Sequence, residues 1–197
     1  MKIKDYRLFL ENKQSKSDID CICKRFNIKK YTINDDGTVD VDGDVNLIWS
    51  RRYVSYYKDK LTKLPLKFGK VSGDFLCTHH ELKTLEGSPK WVGGDFACSF
   101  NKLTTLEGGP EVVLGKYYCN DNHLVNFKGF PEDYETIDWD RLFIYSNPVS
   151  MLLIKIPENK FDKFIYWCNE LNVIDDNGNV NEEWMEEVYH KIGLEYK

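Results

Sequence analysis

The feature that most constrains this chain is an internal period. Three consecutive segments of 21 residues align without a gap: VSGDFLCTHHELKTLEGSPKW (Val71 to Trp91), VGGDFACSFNKLTTLEGGPEV (Val92 to Val112) and VLGKYYCNDNHLVNFKGFPED (Val113 to Asp133). Gly73, Gly94 and Gly115 share a column, as do Phe75, Phe96 and Tyr117, and Cys77, Cys98 and Cys119. Leu82, Leu103 and Leu124 follow, then Leu85, Leu106 and Phe127. Gly87, Gly108 and Gly129 precede Pro89, Pro110 and Pro131. A unit this short cannot bury its own apolar side, so its neighbours must stack on it.

Within each unit, Phe-x-Cys-x-x-Asn-x-Leu-x-x-Leu fits the leucine-rich-repeat template. Phe75 and Cys77 are two apart and point to one side of a short strand. Leu82 and Leu85 suit a tight turn over the same core. Asn101 and Asn122 stand where a side-chain amide can satisfy backbone groups at a bend, while His80 in the first unit predicts a weaker ladder there. Gly87, Pro89 and their equivalents turn the chain back towards the next strand. A parallel strand ladder with a spacing of ~4.8 Å is the expected result. The array begins earlier, because Leu61 and Leu64 lie one period before Leu82 and Leu85, and Gly43, Val45 and Leu47 supply the matching strand. From Gly43 to Gly73 there are 30 residues rather than 21, so this unit carries an insertion of nine. A degenerate unit around Ile137 to Pro148 closes the array.

The flanks read as caps. Ser17 to Asn27 has Ile19, Ile22, Cys23 and Phe26 at helical spacing, with Ser17 and Asp20 as a capping box. YTIN-DDG-TVDV reads as a hairpin. Pro157 opens a helix carrying Phe161, Phe164, Ile165, Trp167, Cys168 and Leu171. The turn at Asp175 to Gly178 leads to a second helix, Asn181 to Ile192, with Asn181 as N-cap and Trp184, Val188 and Ile192 on its inner stripe. The expected fold is α+β: a short leucine-rich-repeat-like parallel β-solenoid (residues 41–150, with an insertion near 48–60) between an N-terminal helix and hairpin cap (1–40) and a C-terminal helical cap (151–197).

These elements together resemble a known family. YTIN-DDG-TVDVDGDV, LTKLPLKFGKVSGDF, the GDF-x-C-x-x-N-K-L-x-x-L-E-G-x-P units and the SNPV with its helical tail are similar to small leucine-rich-repeat-like proteins encoded largely by tailed bacteriophages. The resemblance runs from about Asp18 to Leu194. It implies a phage product acting in the cytoplasm of an infected bacterium, and it brings no catalytic residues. In that family the first unit passes directly from the DGDV strand to the LTKLP turn; this chain departs there, at its insertion.

Composition removes several function classes. A net charge of −5, from 27 Lys and Arg against 32 Asp and Glu, argues against a general nucleic-acid coat. No run approaches the ~18 apolar residues of a spanning helix, and MKIKDYRLFLENK lacks the apolar centre of a signal peptide, so a cytoplasmic protein is expected. The six cysteines have no secretory context for disulfides. Three thiols in a row on one strand face cannot converge tetrahedrally on zinc, and Cys21 with Cys23 is too close for a C-x-x-C motif. The Asp-rich turns lack the remaining ligands of a calcium loop. No cofactor or metal is expected. His79 is the nearest candidate to pair with a thiol, but Cys77 points inward and His79 outward. No catalytic motif is present, and an enzyme is not expected.

Two candidate binding regions remain. The insertion gathers Trp49, Arg51, Arg52, Tyr53, Tyr56, Tyr57 and Lys58, residue types enriched at binding hot spots and suited to phosphates and stacked bases. The competing account is a local cap, with the rings on the core and the Arg residues solvated. The second region is the outer side of the strand ladder: Asp74, Leu76, Thr78 and His79, then Asp95, Ala97, Ser99 and Phe100, then Lys116, Tyr118, Asn120 and Asp121. Leu76, Phe100 and Tyr118 are apolar or aromatic where the surface should be wet. The leading expectation is a bacterial host protein as partner, with a nucleotide or cyclic dinucleotide held by Arg51 and Arg52 as the alternative. Two caps favour a monomer, with weak homodimerisation through the insertion as the other option.

Overall fold

The computed structural model describes residues 15–49, 60–130, 141–175 and 177–196. Each repeat forms one turn of a parallel β-solenoid and gives a short strand to each of two sheets. In chain order the strands are β1 (Tyr31–Ile33), β2 (Val39–Val41), β3 (Val45–Asn46), β4 (Phe68–Val71), β5 (Phe75–Leu76), β6 (Trp91–Val92), β7 (Phe96–Ala97), β8 (Val112–Val113), β9 (Tyr117–Tyr118) and β10 (Leu142–Phe143). One sheet has the order β1-β2-β4-β6-β8 and the other β10-β9-β7-β5-β3. All pairings are parallel except β1 with β2. Sequence reasoning expected one ladder. The first of the two sheets was not expected; it holds the valine that opens each unit, with Val71, Val92 and Val113 in register.

The corner between the sheets explains the glycine column. Asp44 Oδ1 accepts the Asp74 N–H (2.9 Å), Asp74 Oδ1 the Asp95 N–H (2.8 Å) and Asp95 Oδ1 the Lys116 N–H (2.7 Å). Each carboxylate reaches the next turn by passing over a glycine. A Cβ on Gly94 would collide with the Asp74 carboxylate and with the backbone of Gly73.

Inside, the columns stack. The rings of Phe75 and Phe96 lie 5.8 Å apart and nearly parallel, and Tyr117 follows 4.9 Å from Phe96. Cys77, Cys98 and Cys119 are fully buried, as are Leu82, Leu103, Leu124, Leu85, Leu106 and Phe127. Burial pushes the thiols up, Cys77 to about 12, so they remain protonated at neutral pH and serve as small apolar side chains. Tyr117 keeps a buried hydroxyl with no hydrogen-bond partner among the described residues, in space left by Gly109.

The bend after each second-sheet strand is closed by one polar side chain per turn. Asn122 Oδ1 accepts the Leu103 N–H (3.1 Å), and its Nδ2 donates to the carbonyls of Cys98 and Cys119 (both 3.1 Å). Asn101 does the same for Leu82, Cys77 and Cys98, and Asn147 for Leu124, Cys119 and Ile144. The position of Asn147 confirms a last turn, 25 residues after Asn122 rather than 21.

The ends are closed by helices. Helix α1 (Lys16–Arg25) starts at Ser15, which forms the capping box with Asp18; the pair expected at Ser17 and Asp20 lies two residues too late. Asp20 instead accepts the Tyr31 hydroxyl (2.6 Å), tying α1 to the hairpin. After a short helix α2 (Ser150–Leu153), helix α3 (Phe161–Leu171) buries Phe164, Ile165 and Cys168. Helix α4 (Glu182–Lys191) is capped by Asn181 and buries Met185, Val188 and Tyr189. Trp184 does not face inward as its spacing suggested: it is 41% exposed, because Met185 and Tyr189 take the inner stripe with Val188 and Ile192. One continuous core runs from Ile19 to Ile192. Among the described residues no helix is long and apolar enough to cross a membrane.

Two substitutions separate the ladder from generic packing. Asn122→Ala should cost about 3 kcal/mol in a urea unfolding midpoint, since it strands one N–H and two carbonyls in the interior. Tyr117→Phe should be neutral or stabilising by up to about 1 kcal/mol, since it removes an unpaired buried hydroxyl. The reverse order of effects would refute the ladder.

Candidate binding surface

The outer side of the second sheet is built from three columns. Strand alternation places Leu76, Ala97, Tyr118 and Phe143 in the first and Thr78, Ser99, Asn120 and Tyr145 in the second. The third holds Trp49, His79, Phe100, Asp121 and Ser146, and the N–H groups of the first four continue the inter-turn ladder. Trp49 donates to the Thr78 carbonyl (3.2 Å), His79 to Ser99 (3.2 Å), Phe100 to Asn120 (3.1 Å) and Asp121 to Tyr145 (3.1 Å).

The expectation that all twelve outer residues face water is corrected. Thr78, Ala97, Ser99 and Asn120 are buried. They are small or compact side chains flanked by larger ones, and Thr78, Ser99 and Asn120 bond sideways. The Ser99 hydroxyl donates to Asn120 Oδ1 (2.7 Å), and Thr78 Oγ1 lies 3.0 Å from His79 Nδ1. Leu76 and Tyr118 are half-buried, while His79 and Phe100 are exposed. Phe143 and Tyr145 belong to the same surface and were missed, because the four extra residues before the last turn hide its register. Aligning Asn147 with Asn122 would have found them. Tyr118 stacks on Phe143 at 4.6 Å, and Tyr145 is 57% exposed.

The third column has a backbone peculiarity. His79, Phe100, Asp121 and Ser146 all have φ between 55° and 65°. Asp and His enter this left-handed region several times more often than bulky residues do. Phe100 is the misfit: an aromatic ring in a conformation that costs of order 1 kcal/mol, 46% exposed, stacked on His79 at 4.4 Å. Nothing in the core requires a ring there.

The roots of the insertion meet this surface. Strand registry runs 30 residues apart at Val45 and Phe75, and the 21-residue spacing returns at Leu61, whose carbonyl accepts the Glu81 N–H (2.9 Å) as Leu82 accepts Lys102. The extra residues therefore leave after Trp49 and return at Lys60, whose ammonium lies 4.9 Å from the Trp49 ring centre. Arg51, Arg52, Tyr53, Tyr56, Tyr57 and Lys58 lie outside the described residues.

His80 joins the two roots. Its Nδ1 accepts the Leu61 N–H (3.0 Å), which leaves the proton on Nε2, and that N–H donates to the Leu47 carbonyl (2.5 Å). His80 thus stands in for the asparagine in the first turn, bonding Leu61 and Leu47 where Asn101 bonds Leu82, Cys77 and Cys98. Burial is the main cause that pushes His80 down to about 4, and the electrostatic influence of Lys60 and His79 acts the same way, against the bond to Leu47. Among the described residues no group of three or more His, Cys, Asp or Glu side chains is placed to hold a metal ion. No protein-family model, curated protein or solved structure matches the chain.

The His80 geometry predicts a pH dependence with a definite sign. The folded form resists protonation more than the unfolded chain does, so its stabilisation is present above pH 6.5 and fades as pH falls towards 4. The loss has an upper bound of about 3 kcal/mol. His80→Asn, which keeps the ladder and has no titrating ring, should flatten the stability profile in that window. An unchanged slope in the variant would refute the assignment.

Proposed function

We propose that this protein is a non-enzymatic binding module and that the aromatic edge of the second sheet is its contact surface. The observation that carries the proposal is Phe100. Its ring is exposed, its backbone is strained, and neighbouring turns place His, Asp and Ser at the same position. Strain without a structural return is a mark of residues kept for contact. His79 stacks on it, Leu76 and Tyr118 lie on the same side of the sheet, and Trp49 stands in the same column at the root of the insertion. The resemblance to phage-encoded repeat proteins supports a bacterial host protein as partner, with components of antiviral defence as the first class to examine. The insertion residues Arg51, Arg52, Tyr53, Tyr56 and Tyr57 are proposed to extend the contact.

A second reading is a nucleotide or cyclic dinucleotide at the insertion. It is favoured by the pairing of a ring and a cation at Trp49 and Lys60. A thermal-shift panel of nucleotides separates the two readings, since a response there and no protein capture would favour the small ligand.

The principal test is affinity capture from bacterial lysate with wild type, Phe100→Asn and Tyr118→Ala, and with Tyr166→Ala on α3 as a control. Phe100→Asn should leave folding stability within about 1 kcal/mol, because Asn suits the left-handed backbone. It should nevertheless lose the partner that wild type and the Tyr166 variant retain. Equal capture by all four proteins would remove the aromatic edge from consideration.

A further inference from the structure

The reading of the aromatic edge as a contact surface is the premise here, and its chemistry narrows the occupant. From the arrangement of rings and charges we infer that the edge takes an acidic peptide segment of its partner rather than a nucleic-acid strand.

The charges come first. On the side of the edge where the chain bends away, Lys60, Glu81, Lys102 and His123 occupy one column, held by the backbone bonds Glu81 to Leu61, Lys102 to Leu82 and His123 to Leu103. Lys102 donates to the Glu81 carboxylate (3.0 Å). That bond, and the nearby ammonium groups of Lys60 and Lys83, hold the Glu81 carboxyl below its usual range. Three exposed ammonium groups therefore surround one partly covered carboxylate beside Trp49, His79 and Phe100. The chain as a whole carries −5, so this cationic flank runs against the general field of the molecule. Its far end is marked by Asp121, which accepts from Asn120 Nδ2 (2.5 Å). An extended segment along the Trp49-His79-Phe100 column would meet cations over its first turns and an anion after them.

The rings then separate two anionic occupants. Single-stranded nucleic acid needs open ring faces on which bases stack. Here one face of Trp49 carries Lys60 (4.9 Å), and His79 and Phe100 lie face to face (4.4 Å, 19° between planes). Rings stacked from one turn to the next, as His79 on Phe100 and Tyr118 on Phe143, offer edges to an incoming molecule, and edges suit aliphatic and aromatic side chains. Apolar side chains against ring edges, with carboxylates against Lys60, Lys83 and Lys102, is the recognition chemistry of an acidic, amphipathic peptide.

The experiment is a selection from random dodecapeptides displayed on mRNA, against the whole chain, followed by fluorescence anisotropy with the selected peptides and with fluorescein-labelled oligothymidine. The expected result is enrichment of Asp and Glu beside Leu and Phe. Binding should weaken at least tenfold in Lys60→Ala/Lys83→Ala/Lys102→Ala, weaken by a similar factor in Phe100→Asn, and fall with added salt. All three lysines are exposed, so folding should survive; circular dichroism and a urea midpoint check it, and Lys60→Glu/Lys83→Glu repeats the test with the Glu81–Lys102 pair intact. Enrichment of basic or uncharged peptides, no enrichment, or indifference to both lysine variants would overturn the inference. Oligothymidine binding tighter than any selected peptide, and lost in the same variants, would replace the peptide with nucleic acid. A lysate partner lost in Phe100→Asn, without acidic selection, would sink this inference alone; indifference of both assays to Phe100→Asn would sink the surface itself.

Discussion

Each turn of this solenoid ends in a buried bend whose backbone groups cannot reach water, and one side chain per turn resolves the conflict. An unpaired N–H or carbonyl in such a place costs about 1–3 kcal/mol, and each bend exposes several. Asn101, Asn122 and Asn147 each accept one N–H and donate to two carbonyls, linking their own turn to the one before. His80 meets the same need with a single acceptor and a single donor. The stacking of Phe75, Phe96 and Tyr117 and of the buried thiols depends on turns held at this fixed spacing. The Asp-over-Gly corner performs the matching service between the two sheets.

With stability carried by the inward columns and the two bonded bends, the outward columns are free to differ from turn to turn. Phe75 and Phe96 are alike because the core demands it, while His79, Phe100, Asp121 and Ser146 share a backbone and little else. A binding surface can be written into such positions at small cost to the fold. Phe100, on which the proposed surface rests, keeps a ring where the backbone would be easier with Asn or Gly. His80 ties the scaffold to the roots of the insertion, because it bonds Leu47, two residues before Trp49, and Leu61, next to Lys60.

Much of this architecture was legible in the residues. The 21-residue period located the turns, the buried columns and the insertion, and the spacing of Leu61, Leu64 and Val45 located the first turn. The sheet of β2, β4, β6 and β8 was not legible, because two-residue strands such as Val92 with its neighbour show no alternation. The column of positive φ was hidden too: Phe100 gives no sequence sign of a left-handed backbone, as a glycine would. Burial of Thr78, Ser99 and Asn120 depends on the size of their neighbours across turns, which a linear pattern does not encode. Trp184 was misplaced because hydrophobicity was read as burial, whereas Met185 and Tyr189 fill the inner face of α4. The convergence of Trp49 and Lys60 on His79 and Phe100 follows only from the stacking of turns that are distant in sequence.

The central claim is that the molecule makes contact through the outer side of its second sheet. Hydrogen–deuterium exchange of the chain with and without its captured partner tests this most directly. The account predicts added protection in peptides covering 76–79, 97–100 and 118–121, and none in those covering 69–71, 91–92 and 112–113. Protection confined to the first sheet or to the C-terminal helices would contradict it.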